Sequence, residues 1–203
     1  GKIKSVKGHF TNFDLVIDIE KIDLLKIINK ESIIMELIKS EVFFNENINL
    51  LISLKSQIIQ NHKILKNMLI NLNVDQGKIN LDKSKLKLNK MGSLELMRSN
   101  INFIDGELIL NGEFIIKLDD SKKFFQFLQT PKKNRNKIEE ININFDLNVQ
   151  KNVLRLNSIF IDEVEPNDEV YGLISNFNSQ NNIFKNVIEF KNFINRVLIA
   201  YEG

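Results

Sequence analysis

The chain has 203 residues, 43% of them hydrophobic and 27% charged, which excludes disorder and suits one domain or one continuous sheet system with helical additions. Its formal charge of +2 is too small to imply a polyanionic partner such as nucleic acid, and the absence of cysteine excludes thiol catalysis, zinc ribbons and disulfides. The chain shows no signal peptide and no apolar run of about 18 residues, so it is expected not to span a membrane as given; an anchor upstream of Gly1 stays open.

Taken in chain order, the main signal is alternation with period two, the mark of half-buried strands. Phe13, Leu15, Ile17 and Ile19 share one face, with Asp14 and Asp18 on the other. Residues 22–29 predict a short helix carrying Leu24, Leu25, Ile27 and Ile28, and residues 32–40 fit a helix or a strand equally. Ile48, Leu50, Ile52 and Leu54 repeat the alternation, as do Ile70, Leu72 and Val74. Short strands follow around Ile79, Leu86 and Leu94. Ile101 and Phe103 lead into Asp105-Gly106, a hairpin turn, because Asp and Gly tolerate the positive φ it requires. Leu108, Leu110, Phe114 and Ile116 come next, interrupted by Gly112, a candidate bulge. Residues 119–129 predict a helix with an Asp or Ser cap and an apolar side of Phe124, Phe125, Phe127 and Leu128. The clearest alternation is Ile141, Ile143, Phe145, Leu147 and Val149 against Asn142, Asn144, Asp146 and Asn148. A turn near Lys151-Asn152 leads to a last strand over 153–161. Ile183 to Leu198 have helical spacing and form a wide apolar stripe.

The expected fold is therefore mainly β with minor α. An antiparallel meander domain spans 1–178, with short helices near 21–29 and 119–129, and a C-terminal amphipathic helix spans 179–203. The connections read as too short for parallel crossovers. Roughly ten strands and about three helices leave more apolar sheet than the helices are expected to cover. The sheet then closes on itself as a sandwich or barrel, is covered by another chain or domain, or stays open as a curved trough that meets lipid.

No catalytic, metal or cofactor site is expected. His9 and His62 lie far apart, and neither has a second ligand at metal spacing. Asp119-Asp120 and Glu139-Glu140 are adjacent pairs whose side chains diverge, so helix capping and a solvated turn account for them better than acid–base chemistry. No nucleotide-loop or nucleophile-elbow pattern occurs. Lys132, Lys133, Arg135 and Lys137 follow Pro131 and read as a solvated loop.

Several segments resemble AsmA-like proteins (the AsmA/TamB type). These are the strand, glycine turn and strand of residues 73–82 around Gly77; Met91-Gly92-Ser93-Leu94-Glu95-Leu96; residues 104–114 around Asp105-Gly106; the strand and Leu/Ile segment of 10–25; and the ending from Ile188 to Gly203. The resemblance covers most of the chain and implies a curved, groove-like sheet on the periplasmic side of the bacterial inner membrane, anchored by a segment outside this chain. It implies a role in phospholipid transport and outer-membrane assembly, with lipid and other envelope proteins as partners and no catalytic motif.

On that basis the lipid-facing candidates are Leu108, Leu110, Phe114, Ile116, Ile141, Ile143, Phe145 and Leu147; whether they share one face of the assembled sheet is open. Phe124, Phe125 and Phe127 are core, a groove lip or a membrane contact. Phe190 and Phe193 belong to a stripe that either packs across the sheet or lies at a membrane interface, near Lys185, Lys191 and Arg196. The rival reading is a closed β-sandwich serving as a structural or protein-interaction module without lipid.

Overall fold

The computed structural model describes residues 2–9, 12–23, 36, 38–60, 64–180 and 187–202; of residues 2–9, 12, 187, 188 and 202 it describes the backbone alone. The protein is mainly β. One ten-stranded sheet runs through β1 (Lys2–His9), β2 (Asn12–Ile22), β3 (Asn49–Ile59), β4 (Lys66–Asp75), β5 (Lys78–Asn80), β6 (Ser84–Lys87), β7 (Gly92–Ile104), β8 (Glu107–Leu118), β9 (Glu140–Asn148) and β10 (Val153–Ile161). The strands neighbour one another nearly in chain order, with β6 bridging β4 and β7 beside β5.

Two turns follow directly from residue type. Asp105 and Gly106 both have positive φ (51° and 77°), the geometry that closes a two-residue hairpin between β7 and β8. Gln76 and Gly77 do the same between β4 and β5, at 48° and 77°.

Among the described residues one pairing is parallel rather than antiparallel: β2 and β3 run side by side with Phe13 opposite Leu50 and Ile17 opposite Leu54. Residues 23–48 separate these strands, a connection long enough for the crossover that parallel strands need, and it was not too short as expected. Lys21 and Ile22 continue β2, so the helix expected near 21–29 does not begin there; residues 24–29 lie outside the described residues. Within the ambiguous 32–40 stretch, Glu36, Ile38 and Lys39 are helical, and residues 32–35 and 37 lie outside the described residues.

Three helices follow. Helix α1 (Ser121–Leu128) lies within the expected 119–129. Its cap is Asp120, whose carboxylate accepts from the Lys123 backbone N–H at 3.0 Å and is 2.6 Å from Lys123 Nζ. That neighbour holds the Asp120 carboxyl below its ordinary range. Helix α2 (Asp168–Ser179) falls inside the stretch assigned to the sheet domain, so the sheet ends well before residue 178. Its signals are ordinary ones: Asn167 caps it by accepting from Val170 N–H at 3.0 Å, Asp168 and Glu169 favour its positive N-terminus, and Val170, Ile174 and Phe177 make a narrow buried stripe. Helix α3 (Val187–Glu202) is the expected C-terminal helix; residues 181–186 lie outside the described residues.

The registers carry one apolar face from β3 through β10. Leu54 of β3 lies beside Ile70 of β4, Val74 beside Ile79, and Ile79 beside Ile101 of β7. Leu96 lies beside Phe114, Phe114 beside Ile143 of β9, and Ile143 beside Ile159 of β10. The opposite face is polar and rich in asparagine, with Asn111, Asn142 and Asn144 among its residues.

Candidate functional site

The eight expected lining residues do share a face, since Leu110 is opposite Leu147, Phe114 opposite Ile143 and Ile116 opposite Ile141. That face is not an open trough at β8 and β9. Leu108, Leu110, Ile116, Ile141, Ile143 and Phe145 are buried, and Phe114 and Leu147 are half-buried. They belong to one hydrophobic core with Phe124, Phe125 and Leu128 of α1, Val170, Ile174 and Phe177 of α2, and Phe193, Ile194, Val197 and Leu198 of α3. The three helices, with α2 against β10, α3 against α2 and α1 against α3, roof this end of the sheet. The reason is economy of area: each buried Leu, Ile or Phe stabilises the fold by about 1.5–3 kcal/mol, and three amphipathic helices supply enough apolar surface to cover four strands.

The aromatic candidates divide in the same way. Phe124, Phe125 and Phe193 are core residues rather than a lip or membrane contact, and Phe193 lies against Phe177 with 4.6 Å between ring centroids. Phe127 and Phe190 are half-buried; Phe127 carries Lys191 Nζ 4.9 Å above its ring, and Phe190 lies 6.4 Å from Phe193.

The other end of the apolar face is built differently. A second, smaller cluster joins Ile22, Leu54, Ile59 and Met68, with Ile17, Ile19, Leu65, Ile70 and Leu86 packed on it half-buried. Among the described residues this cluster contains no helical side chain. Phe13, on β2 next to Leu50, is 43% exposed. Side chains of β2–β4 and β6 are thus left partly in contact with water on the face that elsewhere forms the core. No residue there was among the lining candidates, although the alternation of Phe13 to Ile19 and Leu50 to Leu54 was visible; what was missing was which strands the helices would cover.

The outer edge of β10 is closed by side chains. Asn178 of α2 accepts from the Leu156 N–H at 2.9 Å and donates to the Leu156 carbonyl at 2.8 Å, in place of a neighbouring strand. The Tyr201 hydroxyl of α3 donates to the Ile159 carbonyl at 2.5 Å, with the Val164 carbonyl 3.2 Å away. Burial pushes the Tyr201 phenol up to about 12. Such a sealed edge cannot template another strand.

The polar face holds a shallow depression of about 470 Å³ lined by Arg98, Asn111, Glu113, Asn144, Asp146, Asn157 and Phe160. Most of its polar groups are already paired with one another. Arg98 Nε donates to buried Glu113 at 2.8 Å, Asn157 donates to Asp146 at 3.0 Å, and Asn144 donates to Ser158 at 2.8 Å.

The paired carboxylates do not converge on a common point. Asp120 caps α1, Glu139 holds Lys137 at 2.5 Å and raises its ammonium pKa, and Glu140 faces Lys117 at 3.9 Å. Among the described residues no group of three or more His, Asp or Glu is placed to hold a metal ion, and no helix is long and apolar enough to cross a membrane. His62 and the His9 side chain lie outside the described residues. No protein-family model, curated protein or solved structure matches the chain.

Proposed function

We propose that this chain is a non-enzymatic segment of an AsmA-like envelope protein that holds acyl lipid on the part of its apolar sheet face formed by β2–β4 and β6. The observation that carries this reading is the cluster around Leu54 and Met68, which among the described residues contains no helical side chain, with half-buried Ile17, Ile19 and Ile70 at its margin and Phe13 exposed. Transfer of an acyl chain onto such a surface is favourable by about 0.8 kcal/mol per CH₂, so lipid needs no specific polar partner to be held and can still exchange. The helix-roofed β7–β10 region is then the closed end of the same sheet. The resemblance to AsmA-like proteins supports a periplasmic setting beside the inner membrane, with an anchor outside this chain, and a contribution to phospholipid transport and outer-membrane assembly.

Extraction and mass spectrometry of the purified protein test this. Wild type is expected to carry phospholipid, and Ile17→Asp combined with Ile70→Asp is expected to lose it while keeping its circular dichroism spectrum. Unchanged lipid content in a folded variant would overturn the reading.

A second reading, a structural or interaction module without lipid, is favoured by the sealed core of β7–β10 and by the side-chain plugs on β10. A lipid-free monomer on native mass spectrometry is the result that would select it.

A further inference from the structure

Three basic segments that are separate in the sequence come together on the helical layer. Thr130, just after α1, donates its hydroxyl hydrogen bond to Asn195 of α3 at 2.7 Å. Arg135 Nε donates to the Thr130 carbonyl at 2.8 Å, which folds the turn at Lys132–Asn134 back toward the same joint. Lys191, one helical turn before Asn195, sits over Phe127. Lys132 and Lys133 on the turn, Lys191 and Arg196 on α3 and Lys122 on α1 therefore belong to segments that meet here.

The pairing of charges there is uneven. Lys123 is matched by Asp120 and Lys137 by Glu139. Lys122, Lys132, Lys133 and Arg196 are exposed, and among the described residues none has a carboxylate within ion-pair distance. These cations have no carboxylate paired with them on this part of the helical layer among the described residues.

We infer that this surface docks on an anionic lipid bilayer. Its cations are mostly lysines, compact and hydrated charges on flexible stems, which suit a diffuse layer of head groups better than bidentate recognition of one ligand. The aromatic rings beside them are poor stacking platforms for single-stranded nucleic acid, because Phe124 and Phe125 are buried and half-buried Phe127 has Lys191 over its ring. Docking here uses charge on the helical layer and does not depend on acyl-chain binding by β2–β4.

The test is co-sedimentation of the whole chain with vesicles of equal parts phosphatidylglycerol and phosphatidylcholine, against vesicles of phosphatidylcholine alone. Binding to the anionic vesicles is expected to be at least about ten-fold tighter and to weaken as salt shortens the screening length. Lys122→Glu, Lys132→Glu and Lys133→Glu together are expected to abolish that preference, at exposed positions that leave the fold intact. Equal binding to both vesicles, a triple variant that binds like wild type, or tighter binding to a labelled single-stranded oligonucleotide than to anionic vesicles each overturns the proposal. The triple variant keeps its extracted lipid and the Ile17→Asp, Ile70→Asp variant keeps its vesicle binding if both readings hold, so failure of one is distinguishable from failure of the other.

Discussion

The rings of Phe114 and Phe145 lie parallel in the core, with centroids 4.2 Å apart and 7° between their planes. Phe114 stands opposite Ile143, and Phe145 opposite Gly112, so the two rings meet diagonally across β8 and β9. Phe145 is 1% exposed. Phe145→Ala removes the stack and leaves a cavity, and is expected to cost about 3–5 kcal/mol in urea unfolding. Phe145→Asp is expected to unfold the protein outright rather than to release lipid selectively. A loss below about 1 kcal/mol for the alanine variant would show that this end of the sheet is looser than its packing indicates.

Gly112 is required by close approach. A Cβ at this position would lie 3.1 Å from Ser99 Cα and 3.2 Å from Ser99 Cβ. Ser99 is pushed there by a bulge in β7, where the register slips between Met97 and Asn100 and Arg98 takes a φ of 49°. Asp82 holds the bulge by accepting from both the Ser99 N–H and its hydroxyl at 2.6 Å. Gly112→Ala is expected to destabilise by about 1–3 kcal/mol through overpacking. Ser99→Gly in the same chain is expected to restore part of that loss, as a double-mutant cycle on unfolding free energies would show.

Asn178 substitutes for a strand on the open edge of β10. Asn178→Ala leaves the Leu156 N–H and carbonyl without partners and is expected to cost about 1–3 kcal/mol. The freed edge is also expected to pair with other copies, which sedimentation velocity would detect as concentration-dependent association. A variant as stable and as monomeric as wild type would mean that the rest of α2 covers the edge unaided.

Tyr201 supplies a pH dependence of defined sign. Its folded pKa of about 12 lies above the ordinary value of 10.0, so the neutral phenol is the form the fold prefers. The stability it contributes is complete below the unfolded value and is lost as pH rises from there through the folded one. Thermal melts of wild type are therefore expected to fall steeply over that alkaline range, and Tyr201→Phe to flatten that part of the profile. At neutral pH the same variant is expected to lose about 1 kcal/mol with the hydrogen bond to Ile159. Parallel alkaline profiles for both proteins would place the titrating group elsewhere.

The strand content, the Asp105-Gly106 turn, helix α1 with its Asp120 cap and the C-terminal helix were all legible, because each depends on neighbours in the chain. Alternation fixes which side chains of a strand share a face, and a two-residue turn needs only residues that accept positive φ. Helix α2 was equally local in its cause, with an Asn cap, two acids and an apolar stripe, but Gly172 and the shortness of the stripe hid it. The bulge signalled by Gly112 lies across from it, in β7, because a glycine marks where a neighbour comes close rather than which strand bends.

The sequence by itself determined that this chain would build an extended sheet with one greasy and one asparagine-rich side, because that follows from side-chain alternation along each strand. Only the tertiary structure decided that β2 and β3 run parallel, that Leu108 to Leu147 would be roofed by α1–α3 while Ile17 and Ile70 would not, and that the segments carrying Lys122, Lys132 and Lys191 would meet. Those outcomes depend on where helices distant in the chain come to rest, and local patterns carry no information about which of several equally apolar strands a helix will cover.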